Sequence, residues 1–282
     1  MNSLLSGQRL EWASADRVAF KRNEASIAMA AFEVVSLDQQ MTIYLGSGCN
    51  SVVLHSLDGQ RAVIVDTKYF SGARRLRQEV MASDITLINT HFHLDHARGN
   101  RLYPEALVVS GETNWKQWDF DTAHSKRPDR VLKPGEESSF VVDDEKVRIV
   151  DLGKAHSLND LVVLFEKRKV LAAGDLVWVN MHPVLLDANT SIESWIGFLD
   201  KMESEYDIQT VVPGHGRIAG KDAIPAMKEY FLSILQSLGH DEELMKLREK
   251  YKSYSTFPIF GGFDRTVRVL RKAGRRNKTW AV

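Results

Sequence analysis

Thr90-His91-Phe92-His93-Leu94-Asp95-His96 sets three imidazoles and a carboxylate within six residues, directly after the apolar run Ile85 to Asn89. Imidazole and carboxylate are ligands for borderline divalent cations. Alternate residues of extended backbone point to one side, so His91 and His93 can converge on one ion, while the following loop brings Asp95 and His96 to a neighbouring one. Without a cation, four such groups crowded together would repel protons and strain their hydration. The cluster therefore points to metal-assisted chemistry.

Three later residues stand in similar surroundings, at strand ends and beside small or polar neighbours. They are His156 in Lys154-Ala155-His156-Ser157, Asp175 in Ala173-Gly174-Asp175-Leu176, and His215 in Val212-Pro213-Gly214-His215-Gly216. Singly each is a weak signal, because a lone histidine is more often a surface or satisfied core residue and Gly-Asp is more often a turn. Their joint order after the cluster carries the information. In that order the chain resembles the metallo-β-lactamase superfamily, whose motifs run His-x-His-x-Asp-His, then His, then Asp or Cys, then His. All seven positions are filled, and the match spans roughly Met41 to Leu238.

The resemblance implies an α/β fold, a four-layer αββα sandwich of two mixed β-sheets flanked by helices, with the metals at one edge of the sheets. It assigns His91, His93 and His156 to one ion, Asp95, His96 and His215 to a second, and Asp175 to both. Asp66, in Ile64-Val65-Asp66-Thr67, matches an acidic residue that supports a ligating histidine through its second nitrogen; an aspartate capping a strand end reads the same way in sequence. Two divalent ions are expected. Histidine and carboxylate without thiolate suit zinc, iron or manganese, and the affinity order places zinc first. Two such ions roughly 3.5–4 Å apart would hold a bridging hydroxide, with Asp95 orienting it and accepting its proton.

The expected reaction is hydrolysis of an ester, thioester, lactone or amide bond in a small molecule, as in the hydroxyacylglutathione hydrolase and lactonase branch. Asp175 stands where the narrow β-lactamases carry Cys or no bridging ligand, and His93 stands where the diiron flavoproteins carry Glu. Two other classes stay open: a mononuclear iron dioxygenase on the same fold, resembling the persulfide dioxygenases, and a phosphodiesterase or nucleic-acid-processing member. Trp178, Met181 and His182 follow a motif strand, where a substrate wall is expected. Trp115, Trp118 and Phe120 also follow motif strands, but for at least half of these bulky residues core packing is the expected role, and His55 and His240 read as structural or exposed.

The elements that must position these groups are legible as short runs. MTIYLG, SVVLHSL and RAVIVD begin a meander at Met41, with Asp58-Gly59 as a hairpin turn. Gly72 to Met81 has helical spacing, and Ile85 to Asn89, Ala106 to Ser110, Lys146 to Asp151, Leu161 to Phe165 and Val170 to Asp175 read as strands. Ser191 to Tyr206 is helical with Ser191 as N-cap, QTVVPG is one more strand, and Lys221 to Leu238 and Asp241 to Tyr251 are amphipathic helices broken by Gly239. This divides the chain into an N-terminal extension over 1–40 packed on the main body, a domain over 41–238, and a helical, basic extension over 239–282.

Hydrophobic residues make up 44% and charged residues 26%, enough apolar material for a sizeable core. Lys plus Arg equal Asp plus Glu at 37 each, so no net field draws nucleic acid or anionic membrane. Nucleic acid is not the expected partner, although Arg265 to Lys278 is locally basic, and homo-oligomerisation stays open. The single Cys49 excludes an intramolecular disulfide and suits a reducing compartment. With no basic stretch leading into 7–15 apolar residues at the start, and no run of about 20 apolar residues later, a cytoplasmic location is expected.

Overall fold

The computed structural model describes residues 32–113, 116, 118–119, 125–185, 190–257 and 261–276, the last four as backbone alone. Seven strands form the first sheet in sequence order: β1 Glu33–Ser36, β2 Met41–Leu45, β3 Ser51–His55, β4 Arg61–Val65, β5 Asp84–Ile88, β6 Leu107–Gly111 and β7 Arg130–Leu132. Strands β1 to β4 pair antiparallel through tight connections, and β4 to β7 pair parallel. The second sheet runs β13-β12-β11-β10-β9-β8, from β8 Glu137–Val142, β9 Glu145–Gly153, β10 Asp160–Phe165, β11 Val170–Val179, β12 Thr210–Gly216 and β13 Ala219–Gly220. Only β11 and β12 are parallel in it.

Period-two alternation assigns the layers, because successive strand side chains point to opposite faces. Val52, Leu54, Val63 and Val65 meet Leu161, Val163, Phe165 and Ala172 between the sheets. Their neighbours turn outward: Val53 and Ile64 pack under helix α1 (Phe70–Glu79) through Leu76, and Val162, Leu164 and Leu171 pack under α3 (Ile192–Glu205) and α4 (Ala223–Gln236). The result is the helix–sheet–sheet–helix sandwich expected of the sequence. Strands buried on both faces read as continuous apolar runs, which explains why β10 is buried at all six positions.

Helix α3 starts where Ser191 accepts a hydrogen bond from the Ser194 amide at 3.4 Å. Its buried face is Ile192, Trp195, Leu199 and Met202. Truncating a side chain such as Leu199 to Ala would cost about 2–5 kcal/mol. Beyond α4, α5 (Asp241–Lys250) and α6 (Phe263–Arg276) close the second sheet's outer face, and Tyr251, Phe263, Val267 and Leu270 join its core. Among the described residues no helix is long and apolar enough to cross a membrane.

Some elements extend past their sequence signals. β1 lies inside the segment before Met41 and is largely exposed, with no apolar alternation to announce it. β8 occupies a polar stretch to which the sequence assigns no strand. β11 continues past Asp175 to Val179.

Candidate metal centre

Each group of the cluster is delivered by a different device. His91 and His93 lie on the loop leaving β5, and Asp95 and His96 in the one-turn helix α2, Leu94–Ala97. His156 lies between β9 and β10, Asp175 inside β11, and His215 near the end of β12. The β11–β12 ladder is irregular between Gly174 and Trp178, where Gly174 pairs with Pro213 and Trp178 with His215. That irregularity lets Asp175 and His215 reach the same place. Gly214 makes the approach possible: a Cβ there would overlap Asp175 Oδ1 and the backbone of Gly174 and Asp175.

All seven residues named from the sequence come together. His93 Nδ1 is 3.0 Å from His91 Nε2 and 3.1 Å from His156 Nε2. Asp175 Oδ2 is 3.3 Å from His156 Nε2 and 4.0 Å from His91 Nε2. Its other oxygen, Oδ1, is 3.2 Å from His96 Nε2 and 3.4 Å from His215 Nε2, while Asp95 Oδ2 is 3.1 Å from His215 Nε2 and 3.7 Å from His96 Nε2. One carboxylate thus faces two separate groups of imidazoles.

The hydrogen-bond network fixes the tautomers. Asp66 Oδ1 accepts from the Thr90 amide at 2.8 Å, and Oδ2 accepts from Thr90 Oγ1 and lies 2.7 Å from His96 Nδ1. An aspartate acceptor there requires the proton on His96 Nδ1. Thr90 spends its hydroxyl proton on Asp66, so its oxygen accepts from His91 Nδ1 at 3.1 Å. Both rings are then left with a bare Nε2 turned into the cluster.

The donor set fits a cation. His96 Nε2 and Asp175 Oδ1 are buried, and among the described residues neither has a partner in hydrogen-bonding geometry. Buried polar atoms without partners are costly. Nitrogens sharing a tetrahedral zinc stand about 3.3 Å apart, given Zn–N bonds of about 2.0–2.1 Å, and the spacings above are of that size. Among the described residues four sets of side chains have ligand atoms close enough to share an ion: three drawn from the seven, namely His91, His93 and His156, then His91, His96 and Asp175, then Asp95, His96 and His215, and a fourth, Cys49, Asp66 and His96, on the other side of the His96 ring.

Electrostatics agree. Burial opposes ionisation of Asp95, but the neighbouring His96 and His215 outweigh it and hold the carboxyl well below its ordinary range. Asp175 is likewise opposed by burial and held low by His215, His96 and His156. Burial, then the surrounding imidazoles, push His91 well down, which keeps it neutral. His96 moves up against its burial under the pull of Cys49, Asp175, Asp66 and Asp95, so this point of the cluster favours positive charge, which a proton on Nε2 supplies when no cation is bound there.

The three residues expected in a substrate wall separate. Trp178 stacks on His215 with ring centroids 4.4 Å apart and donates its indole N–H to Asp175 O at 2.8 Å. Met181 bridges to Ser255 in the segment before α6. His182 is buried in an aromatic cluster instead, its Nδ1 2.8 Å from Tyr230 Oη, with Tyr254 and Phe263 around its ring. Trp118 is a core residue against Phe92 and Ala97, while Trp115, Phe120 and His124 lie outside the described residues. Sequence reasoning missed Phe257, whose ring stands 4.9 Å from His215 and 6.2 Å from Trp178. Its one signal was an aromatic residue in a Ser-, Thr- and Pro-containing stretch.

Comparison with known proteins points the same way. The family described as the metallo-beta-lactamase superfamily matches residues 45–215, more than half of the chain. No curated protein sequence matches. Among solved structures, a metallo-beta-lactamase from Pontibacter korlensis aligns with a TM-score of 0.60 and 17% identity, covering 71% of this chain and 99% of that one. DIM-1 metallo-beta-lactamase aligns with a TM-score of 0.57 and 21% identity over 70% of this chain and 95% of its own. A double mutant of the sec-alkyl sulfatase PisA1 aligns with a TM-score of 0.66 and 11% identity over 89% of this chain and 52% of its own. At these identities the likeness is one of fold.

Proposed function

The chain belongs to the metallo-β-lactamase superfamily, and from that premise we propose that it is a hydrolase using two divalent ions, zinc by donor preference, to cleave an ester, thioester, lactone or amide bond of a small molecule. His91, His93 and His156 would hold one ion, Asp95, His96 and His215 the other, and Asp175 both. The observation that carries this reading is Asp175, whose two oxygens face the two imidazole groups separately. When bound, such ions supply a nucleophile at neutral pH and polarise the bond to be cleaved.

The chain's own residues do the rest. Asp95 is ionised at neutral pH and is the most exposed of the acids at the site, its side chain 24% accessible against 5% for Asp175. It is placed to accept a proton from an incoming water and pass it towards solvent. Phe257, which is only partly buried, puts an aromatic ring beside His215, while buried Trp178 stacks on the same imidazole from within the core; that apolar side favours a substrate with an apolar portion next to the scissile bond.

Purified protein should carry close to two zinc ions per chain by plasma mass spectrometry and turn over a member of a panel of thioesters, lactones, β-lactams, sulfate esters and phosphodiesters. One iron per chain with oxygen uptake would replace this reading with an oxygenase. Asp175→Ala should lower metal content and turnover together; a variant that keeps both ions and full activity would sink the bridging role.

A further inference from the structure

Lys68 is a fully buried cation that no part of the hydrolytic reading uses. Its ammonium donates to three main-chain carbonyls, Tyr44 O at 2.9 Å, Gly46 O at 2.6 Å and Cys49 O at 2.5 Å, which brings the loop between β2 and β3 to one point. Burying an unpaired ammonium is expensive, and three acceptors are the full complement for its three protons. Burial lowers its pKa to about 8, so it is still a cation at neutral pH.

The same short segment holds the opposite side of the metal centre. Asp66 orients His96, Thr67 donates its amide to His96 O at 2.7 Å and its hydroxyl to Asn100 Oδ1 at 2.8 Å, and Lys68 O accepts from the Gly99 amide at 3.0 Å. Asp66 and Lys68 both adopt left-handed backbone, φ 62° and 60°. That costs free energy in a residue with a side chain, so surrounding contacts must hold it. The β2–β3 loop in turn ends at Asn50. The Asn50 amide donates to Gly214 O at 2.8 Å, its side-chain nitrogen donates to Pro213 O at 2.9 Å and Gly216 O at 3.0 Å, and its side-chain oxygen accepts from the Gly46 amide at 3.0 Å. Those carbonyls flank His215 on both sides.

We propose that Lys68 is a positioning residue that, through the Gly46–Asn50 loop and the Asn50 side chain, holds His215 in register with His96. The contacts form one continuous path: residues 66–68 fix His96 directly, and the Lys68 side chain extends the hold to the turn carrying His215. The proposal deepens the metal-centre reading and depends on it for its metal arm alone.

The test compares full-length wild type with Lys68→Met and with Asn50→Ala, which cuts the path at its far end and leaves the cation in place. Each is titrated with Zn2+ alone, and amide hydrogen exchange is followed without metal. In both variants one zinc should bind as in wild type while the other weakens by about 10- to 100-fold, the range for losing a residue that supports a ligand. In Lys68→Met the Asn50 amide should lose protection while Ile64 and Leu87, in the first sheet, keep theirs. Unchanged protection at Asn50, or two zincs bound by Asn50→Ala at wild-type affinity, overturns the proposal. Should Lys68→Met not fold, Asn50→Ala decides it. A wild type that takes up no metal defeats the two-ion reading instead, and the exchange comparison still judges the path.

Discussion

At the scale of single residues, the histidines are governed by acids that never face the metal positions. Asp66 sets the His96 tautomer, and two further carboxyls frame the His156 turn. Asp160 accepts from the Ala155 amide, the Ser157 amide and Ser157 Oγ at 2.9–3.1 Å, and Asp151 accepts from Asn159 Nδ2 at 2.6 Å and the Gly153 amide at 2.8 Å. Burial pushes Asp160 up to about 7 and Asp151 up to about 6. A raised carboxyl keeps a proton in the folded chain that the unfolded chain releases near pH 4. Between about pH 4 and 7 these two groups therefore make stability fall as pH rises. Asp160→Asn and Asp151→Asn should each flatten that part of the profile of melting temperature against pH, whatever they do to its height. A slope equal to wild type would show that the carboxyl does not titrate in this window. The cluster from His91 to His96 was legible because its spacing is local. His182 was not, because sequence cannot say that its ring meets Tyr230, 48 residues on, rather than the metal centre.

Elements were legible where period and punctuation agree. The β3–β4 hairpin with its Asp58-Gly59 turn and helix α3 with its Ser191 cap appear where the sequence puts them. β1 and β8 escaped because they alternate little and carry many polar residues, and their pairing is decided by the neighbouring strands rather than by their own composition. The irregular β11–β12 ladder was also hidden, since nothing in VLAAGD announces that pairing breaks around Gly174. Its importance can be checked at Gly214. An alanine there has no room beside Asp175, so Gly214→Ala should strip metal from the protein while circular dichroism shows the two sheets intact. Unchanged metal content in that variant would mean that the ladder can shift to admit a methyl group.

At the scale of the whole molecule, the C-terminal helices are attached to the sandwich beside the site. Tyr230 on α4 joins His182 after β11 and lies 3.4 Å from Thr266 on α6, inside a cluster of Tyr251, Tyr254 and Phe263. Tyr230→Phe leaves His182 without its buried partner, which should cost about 1–3 kcal/mol in the denaturant midpoint; an unmoved midpoint would show that the helices dock without it. The two sheets also follow one another along the chain, the first complete at Leu132 and the second beginning at Glu137. His91, His93, Asp95 and His96 belong to the first, and His156, Asp175 and His215 to the second. On the ribosome, at about 5–20 residues per second, His215 is made on the order of 10 s after His96. For that interval the nascent chain carries half a chelator, open to the wrong cation, and the correct one can be locked in only when nearly all of the sandwich has been synthesised.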